Sequence, residues 1–191
     1  MAIEAKWQQA ADQIWELWQA GDVVDALVND CRPATRADGY AIQSCLEQRT
    51  AQSLFGWKIA ATSSAGQQHI GVDGPIAGRL LAERCHANGA TVPFGRNRMA
   101  VAEPEFAFQL GRDIAPRDGK LSVEECLDHV SDLYPAIEIP DSRFADFASV
   151  GAANLIADNA CAHEFVLGAR VTADWRRLDL SALRMRVFSD S

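Results

Sequence analysis

The chain has 191 residues, 48% of them hydrophobic, which suits one folded domain with a substantial core. Its formal net charge of -8 and its scattered Lys and Arg residues argue against a nucleic-acid or anionic-membrane surface. We therefore expect no nucleic-acid and no membrane partner, and a small molecule or another protein instead.

The N-terminal sequence and the cysteines indicate an unexported protein. The 5 cysteines are widely spaced and include no Cys-x-x-Cys, so neither a disulfide framework nor a zinc cluster is indicated. The first residues are too polar for a signal peptide, and no apolar run approaches the roughly 18 residues of a membrane span. We therefore expect a cytoplasmic location.

Residues 1–53 are predicted to be a helical N-terminal region. Apolar residues recur at helical spacing: Ile3, Trp7, Ala11, Ile14 and Trp18. This pattern predicts a helix over 3–20 that ends at Gly21. Its tryptophans could form a ligand platform or a subunit contact, although such a stripe more often packs in a core. A second helix is predicted over 36–52, with Thr35 as its N-cap.

Residues 54–61 are predicted to form a strand that contains one lysine, Lys58. Burial would lower its pKa and make it a possible acid or base, whereas an edge-strand lysine would face solvent. These residues alone favour the solvent-facing alternative. A loop and a helical turn follow, in which His69 has no metal-spaced partner. A short strand is expected at 78–81, and Asn88-Gly89 indicates a hairpin-type turn before Thr91.

The strand predicted over 101–110 has two different faces. Alternation directs Phe106, Phe108 and Leu110 towards a core and Glu103 and Glu105 to the opposite face. A second strand places one acid, Glu138, between Ile137 and Ile139, so that it too points away from its apolar neighbours.

The three glutamates are candidate ligands of one divalent cation. Carboxylates within about 4 Å of each other repel by about 4 kcal/mol per pair at an effective dielectric near 20, and a cation removes that cost. Three such oxygens fill half of an octahedral Mg²⁺ or Mn²⁺ shell and leave positions for substrate and water. Alternatively, each glutamate merely solvates the outer face of a strand, and the spacing alone does not separate these interpretations.

The rest of the chain continues to alternate helices and strands. Ser122 and Glu125 form a capping-box pattern that starts a helix ending near Ser131. A loose helical pattern covers 150–162, and strands are predicted at 164–168 and from Leu183 to Phe188. The last strand has no evident partner before the chain ends, so we expect a domain that is shortened at its C-terminus.

Four motifs, in order along the chain, resemble one family. They are Gly56-Trp-Lys-Ile59, Glu103-Pro-Glu105, Ala136-Ile-Glu-Ile-Pro-Asp-Ser-Arg143, and Ala157-Asp-Asn-Ala160 followed by Phe165-Val-Leu-Gly168. Together they are similar to the 2-keto-4-pentenoate (2-hydroxypenta-2,4-dienoate) hydratases and the related 4-oxalocrotonate decarboxylases of the fumarylacetoacetate hydrolase superfamily.

The resemblance implies an α+β fold, a mixed β-sandwich-like roll with N-terminal helices, in which 54–191 is a metal-binding β-rich catalytic domain. It implies Mg²⁺ or Mn²⁺ held by Glu103, Glu105 and Glu138, and it makes Lys58 an active-site residue that moves or positions a proton. The expected substrate is a 2-oxo or 2-hydroxydienoic acid. Chelation of its C1 carboxylate and C2 oxygen would favour ketonisation, and water would then add at C4 to give a 4-hydroxy-2-oxo acid.

Two departures from the family pattern leave other functions open. Relatives often carry an acid after the proline of the Gly-Val-Asp-x-Pro stretch, where this chain has Ile76, and they usually continue for several dozen residues past Phe188. The alternatives are a decarboxylase that uses the same metal chelate and a non-catalytic shortened paralogue. A homo-oligomer is also expected.

Overall fold

The computed structural model describes residues 4–186 and residue 188, and within them the chain forms five α-helices and six strands. The helices are α1 (Ala5–Ala20), α2 (Arg36–Cys45), α3 (Ser64–His69), α4 (Val123–His129) and α5 (Ala152–Ala157). The strands are β1 (Leu54–Ala60), β2 (Ile76–Leu81), β3 (Cys85–Ala87), β4 (Glu103–Leu110), β5 (Val130–Ile139) and β6 (Glu164–Leu167).

The strands form two separate sheets. β1 and β2 pair antiparallel as a two-stranded sheet, and the other four lie in the order β3-β6-β5-β4. In the larger sheet β3 runs parallel to β6, while the other neighbours are antiparallel. The predicted mixture of helices and sheets is thus confirmed. Among the described residues, no helix combines the length and apolar character that crossing a membrane requires.

The two N-terminal helices pack into the largest core cluster. α1 buries Trp7, Ile14 and Trp18, and it ends at Gly21 in the left-handed conformation, with a φ of 65°. The tryptophan stripe therefore belongs to the chain's own core, where it meets Leu46 and other buried residues. Ile3, which the sequence pattern places on the same stripe, lies outside the described residues.

The second helix is shorter than its pattern predicts. Thr35 caps it in a capping box with Asp38, as the N-cap prediction required, but α2 ends at Cys45. A 3-10 helix, Leu46–Arg49, follows, and Thr50 is then extended while its hydroxyl donates to Glu83 Oε2 at 2.6 Å. This bond and the extended backbone of Thr50 prevent the predicted helix from continuing to residue 52.

Three other predictions are corrected. Asn88-Gly89 does form a turn, but β3 before it pairs in parallel with β6 and no strand follows at 91–92, so there is no hairpin at this point. Phe108 and Leu110 are 47% and 54% exposed because β4 is the end strand of its sheet. Residues 183–186 lie outside any strand, and Val187 of the predicted C-terminal strand is outside the described residues.

Candidate metal centre

The three predicted glutamates come together on one face of the four-stranded sheet. Glu103 of β4 lies directly opposite Glu138 of β5, and Glu105 lies opposite Ala136. One carboxylate oxygen from each glutamate lies within 4.8 Å of the other two. The three side chains meet because of strand geometry. Directly opposed residues of an antiparallel pair point to the same face of the sheet, and so do residues i and i+2 of one strand.

The cluster is unfavourably charged as it stands. Glu138 is fully buried, and this burial raises its pKa to about 7, with a smaller increase from the neighbouring carboxylates of Glu105 and Glu103. Burial also raises the pKa of Glu105, and the charge of Glu103 adds to it. In both cases the nearby Lys58 ammonium acts in the opposite direction. The site therefore lacks positive charge for three ionised acids.

Lys58 reaches this cluster from the other sheet. Its side chain is buried rather than solvent-facing, with Nζ 2.9 Å from Glu138 Oε1, and Nζ donates to the Ala160 carbonyl at 3.0 Å. Lys58 Nζ and Glu138 Oε1 form an ion pair, and within the described part of the chain neither buried oxygen of Glu138 has a hydrogen-bond partner of ordinary geometry. Unsatisfied buried oxygens in an all-carboxylate set fit a hard cation such as Mg²⁺.

The backbone that carries Ala160 was not anticipated from the sequence. Asn159, Ala160 and Cys161 all have positive φ, at 56°, 51° and 60°. A left-handed conformation costs a non-glycine residue roughly 1–2 kcal/mol, and asparagine tolerates it best of the three residue types present. Asn159 in the motif Ala157-Asp-Asn-Ala160 was the one local signal for this turn. The turn directs the Ala160 carbonyl at Lys58.

A buried ion pair holds the segment that follows Glu138. The Arg143 guanidinium binds the Asp158 carboxylate, and the side chains are 3% and 0% exposed. Ser142 Oγ donates to the same carboxylate at 2.7 Å, and Arg143 Nη1 donates to the Asp141 carbonyl at 2.9 Å. The connection between β5 and the turn at Asn159 is therefore rigidly cross-linked.

Other residues noted in the sequence lie elsewhere. Ile76 is buried in a core cluster with Leu155 and Ile156, apart from the three carboxylates. His69 is exposed at the end of α3, and Glu125 closes the capping box of α4. None of these three residues joins the cluster of acids.

Several curated relatives are named 2-keto-4-pentenoate hydratase and one is named 4-oxalocrotonate decarboxylase, although no protein-family model matches the chain. A 2-keto-4-pentenoate hydratase of Paraburkholderia xenovorans LB400 is 33% identical over 181 residues, which cover 93% of this chain and 66% of that protein. A 2-keto-4-pentenoate hydratase of Burkholderia vietnamiensis G4 is 30% identical over 183 residues, covering 94% and 68%. The chain thus spans about 66% of the length of the first of these relatives.

A solved structure shares the fold. The 4-oxalocrotonate decarboxylase of Pseudomonas putida G7, complexed with magnesium and adipate, superposes with a TM-score of 0.74 at 23% identity, covering 88% of this chain and 64% of that one. This likeness concerns the fold, while the sequence identity to the hydratases extends over most of the chain. The chain therefore belongs to the 2-keto-4-pentenoate hydratase family.

Proposed function

We propose that this chain is a divalent-metal-dependent hydratase that adds water to a 2-hydroxy-2,4-dienoate and forms a 4-hydroxy-2-oxo acid, a step in aromatic meta-cleavage catabolism. The observation that carries the proposal is the cluster of Glu103, Glu105 and Glu138 with the buried Lys58 against it. The names of the relatives support the reaction.

In this proposal the three glutamates hold Mg²⁺ or Mn²⁺. The cluster presents only carboxylate oxygens, which these hard cations prefer, and the fully buried Glu138 has the strongest need of a positive partner. When bound, the cation would act as a Lewis acid that stabilises negative charge on the C2 oxygen of the substrate. The magnesium and calcium complexes of the structural neighbour support a divalent cation.

Lys58 is the residue we assign to proton handling. The reaction moves the C2 hydroxyl proton away, protonates C5, adds water at C4 and protonates C3. An ammonium group has three N–H donors, of which one donates to Ala160 O, while the charge lies against Glu138 Oε1 as an ion pair, so N–H groups remain for substrate or water. Over one cycle Lys58 gives a proton and regains one, so the chain ends unchanged.

The test follows consumption of 2-hydroxypenta-2,4-dienoate by ultraviolet absorbance, with Mg²⁺, with Mn²⁺ and with a chelator. We expect metal-dependent loss of the dienol and formation of 4-hydroxy-2-oxopentanoate. Glu105→Gln should abolish turnover while leaving the far-ultraviolet circular dichroism unchanged, because it removes one of three ligands from a half-buried position. Unchanged activity in this variant would refute the assignment of the metal ligands.

Decarboxylation is the second candidate, and the fold likeness to 4-oxalocrotonate decarboxylase favours it. Here the 2-oxo group would accept the electron pair left behind when a remote carboxylate departs as CO₂. Release of CO₂ from a dicarboxylic 2-oxo-3-enedioate, without hydration of the dienoate, would identify this reaction. If the chain retained Mn²⁺ binding but turned over neither substrate, it would be a non-catalytic paralogue.

The remaining parts of the proposal concern context. We propose that 54–191 is the catalytic domain, a β-sandwich-like roll of the fumarylacetoacetate hydrolase type, and that 1–53 packs helices against it. The five free cysteines suit the reducing cytoplasm. A homo-oligomer is proposed from the apolar face of β1, where Phe55, Trp57 and Ile59 are each about half exposed. Light scattering of the purified chain measures its mass in solution.

A further inference from the structure

The amide of Asn159 fastens the left-handed turn to β2. Its Oδ1 accepts from the Arg79 N–H at 2.6 Å, and its Nδ2 donates to the Arg79 carbonyl at 2.8 Å. The side chain thus satisfies both main-chain groups of one strand residue, as a neighbouring strand would do. These two bonds join β2 of the two-stranded sheet to the turn that precedes β6 of the four-stranded sheet.

The Arg79 side chain contacts α2, the 3-10 helix that follows α2, and the neighbouring strand β1. Its Nε donates to Glu47 Oε1 at 2.5 Å, its Nη1 donates to Gln43, and its guanidinium lies 4.6 Å from the centroid of the Trp57 ring. Gln43 is fully buried and donates to the carbonyl of Ala77 at 2.8 Å. The strand residue that anchors Asn159 is therefore fixed at both its backbone and its side chain.

Gly78 permits the close approach of three elements. It lies opposite Lys58 in the β1–β2 pair. A Cβ added at Gly78 would lie 2.3 Å from the Asn159 carbonyl oxygen and 3.1 Å from both Cγ and Cδ of Lys58. Any larger residue must push apart the turn and the lysine side chain.

We infer that the turn Asn159–Cys161, seated on Gly78 and Arg79, is a positioning device that fixes the Lys58 ammonium against the acid cluster. Asn159 and Gly78 are positioning residues, since they act on the reaction through Lys58, and this inference rests on the proposed function. Lys58 Nζ lies 3.0 Å from the Ala160 carbonyl oxygen, to which it donates, and 2.9 Å from Glu138 Oε1. The first contact comes from the turn and the second from β5, so a displaced turn would leave the ammonium held by Glu138 alone.

The test compares Gly78→Ala with Gly74→Ala, whose added Cβ meets no atom within 4 Å. A misplacement of about 1 Å at a reacting group can cost about 100-fold in rate, so Gly78→Ala should lower kcat by up to about that factor. KM should stay within about threefold, because the three glutamates proposed to hold the metal and its substrate chelate are unchanged. Gly74→Ala should keep both constants.

A second measurement reports on Lys58 without any turnover. The chain has three lysines, and Lys6 and Lys120 are exposed, so they serve as internal references for labelling by an amine-reactive acetylating reagent. In the metal-free parent chain and in Gly74→Ala, peptide mass spectrometry should show slow labelling of the buried Lys58. In Gly78→Ala its labelling rate should rise towards that of Lys6.

Asn159→Gly provides an independent variant if Gly78→Ala does not fold. Glycine keeps the left-handed backbone but removes both bonds to Arg79. The same fall in kcat and the same rise in Lys58 labelling are expected. Parental kcat and parental protection of Lys58 in a folded variant would overturn the inference. If the parent chain showed no turnover, faster labelling of Lys58 in the variants would still support the positioning of Lys58. That result would contradict the proposed hydratase reaction instead.

Discussion

Replacing Glu138 with glutamine should stabilise the metal-free chain at alkaline pH. The side chain is fully buried, and its burial raises the pKa to about 7 from an ordinary 4.5. A carboxyl whose pKa is higher in the folded chain than in the unfolded chain makes its greatest contribution to stability below pH 4.5. That contribution is lost as the pH rises through 7.

The size of the effect follows from the shift in the Glu138 pKa, from 4.5 to about 7. One pKa unit corresponds to about 1.4 kcal/mol, so ionisation of Glu138 costs the folded chain about 3 kcal/mol at pH 8. Glutamine resembles the protonated acid and avoids this cost. For a chain of this size the gain corresponds to about 6–12 °C in Tm.

The assay is thermal unfolding with a chelator present, at pH 4 and pH 8, for the parent chain and Glu138→Gln. The variant should equal the parent at pH 4 and exceed it at pH 8. Glu103→Gln is the matched control, because it removes a half-buried acid of the same cluster and keeps Glu138. A lower Tm for Glu138→Gln at pH 8 would refute the reasoning, since the ion pair with Lys58 would then outweigh the cost of burial.

Three further outcomes are expected. Mg²⁺ should raise the Tm of the parent more at pH 8 than at pH 6, because Glu138 must lose its proton to bind the ion; equal increases would contradict the assignment of this ligand. Gly39→Ala should lower the free energy of unfolding, measured in urea, by about 1–3 kcal/mol, because the added Cβ would lie 2.5 Å from a carbonyl oxygen of α5. Gly74→Ala should leave that free energy unchanged. Asp158→Ala should lower the free energy of unfolding by about 3–5 kcal/mol because it leaves Arg143 buried and unpaired. A decrease below about 1 kcal/mol, measured by unfolding in urea, would contradict this.

The strand face on which each of the three glutamates lies could be predicted from the sequence because it depends on local periodicity. Alternation along β4 and β5 sets the face of each acid, and the antiparallel register then brings Glu103 opposite Glu138. The capping boxes at Thr35 and Ser122 were equally visible, since a cap involves residues only three positions apart.

Features that depend on distant parts of the chain could not be predicted. The burial of Lys58 requires the two-stranded sheet to meet the four-stranded one, and no local pattern encodes that meeting. Phe108 is exposed because β4 has a neighbour on one side only, although its alternation is that of a core face. Ala160 and Cys161 adopt a conformation that their residue types disfavour, and contacts with β2 hold them there.

The acids and the lysine stand on different sheets. Glu103, Glu105 and Glu138 belong to the four-stranded sheet, while Lys58 belongs to the two-stranded one. Substitutions within β1 and β2 can therefore shift the lysine without disturbing the order of the acids. A change confined to the small sheet would thus alter how the ammonium faces the carboxylates, while the β4–β5 register keeps the spacing of the acids as it is.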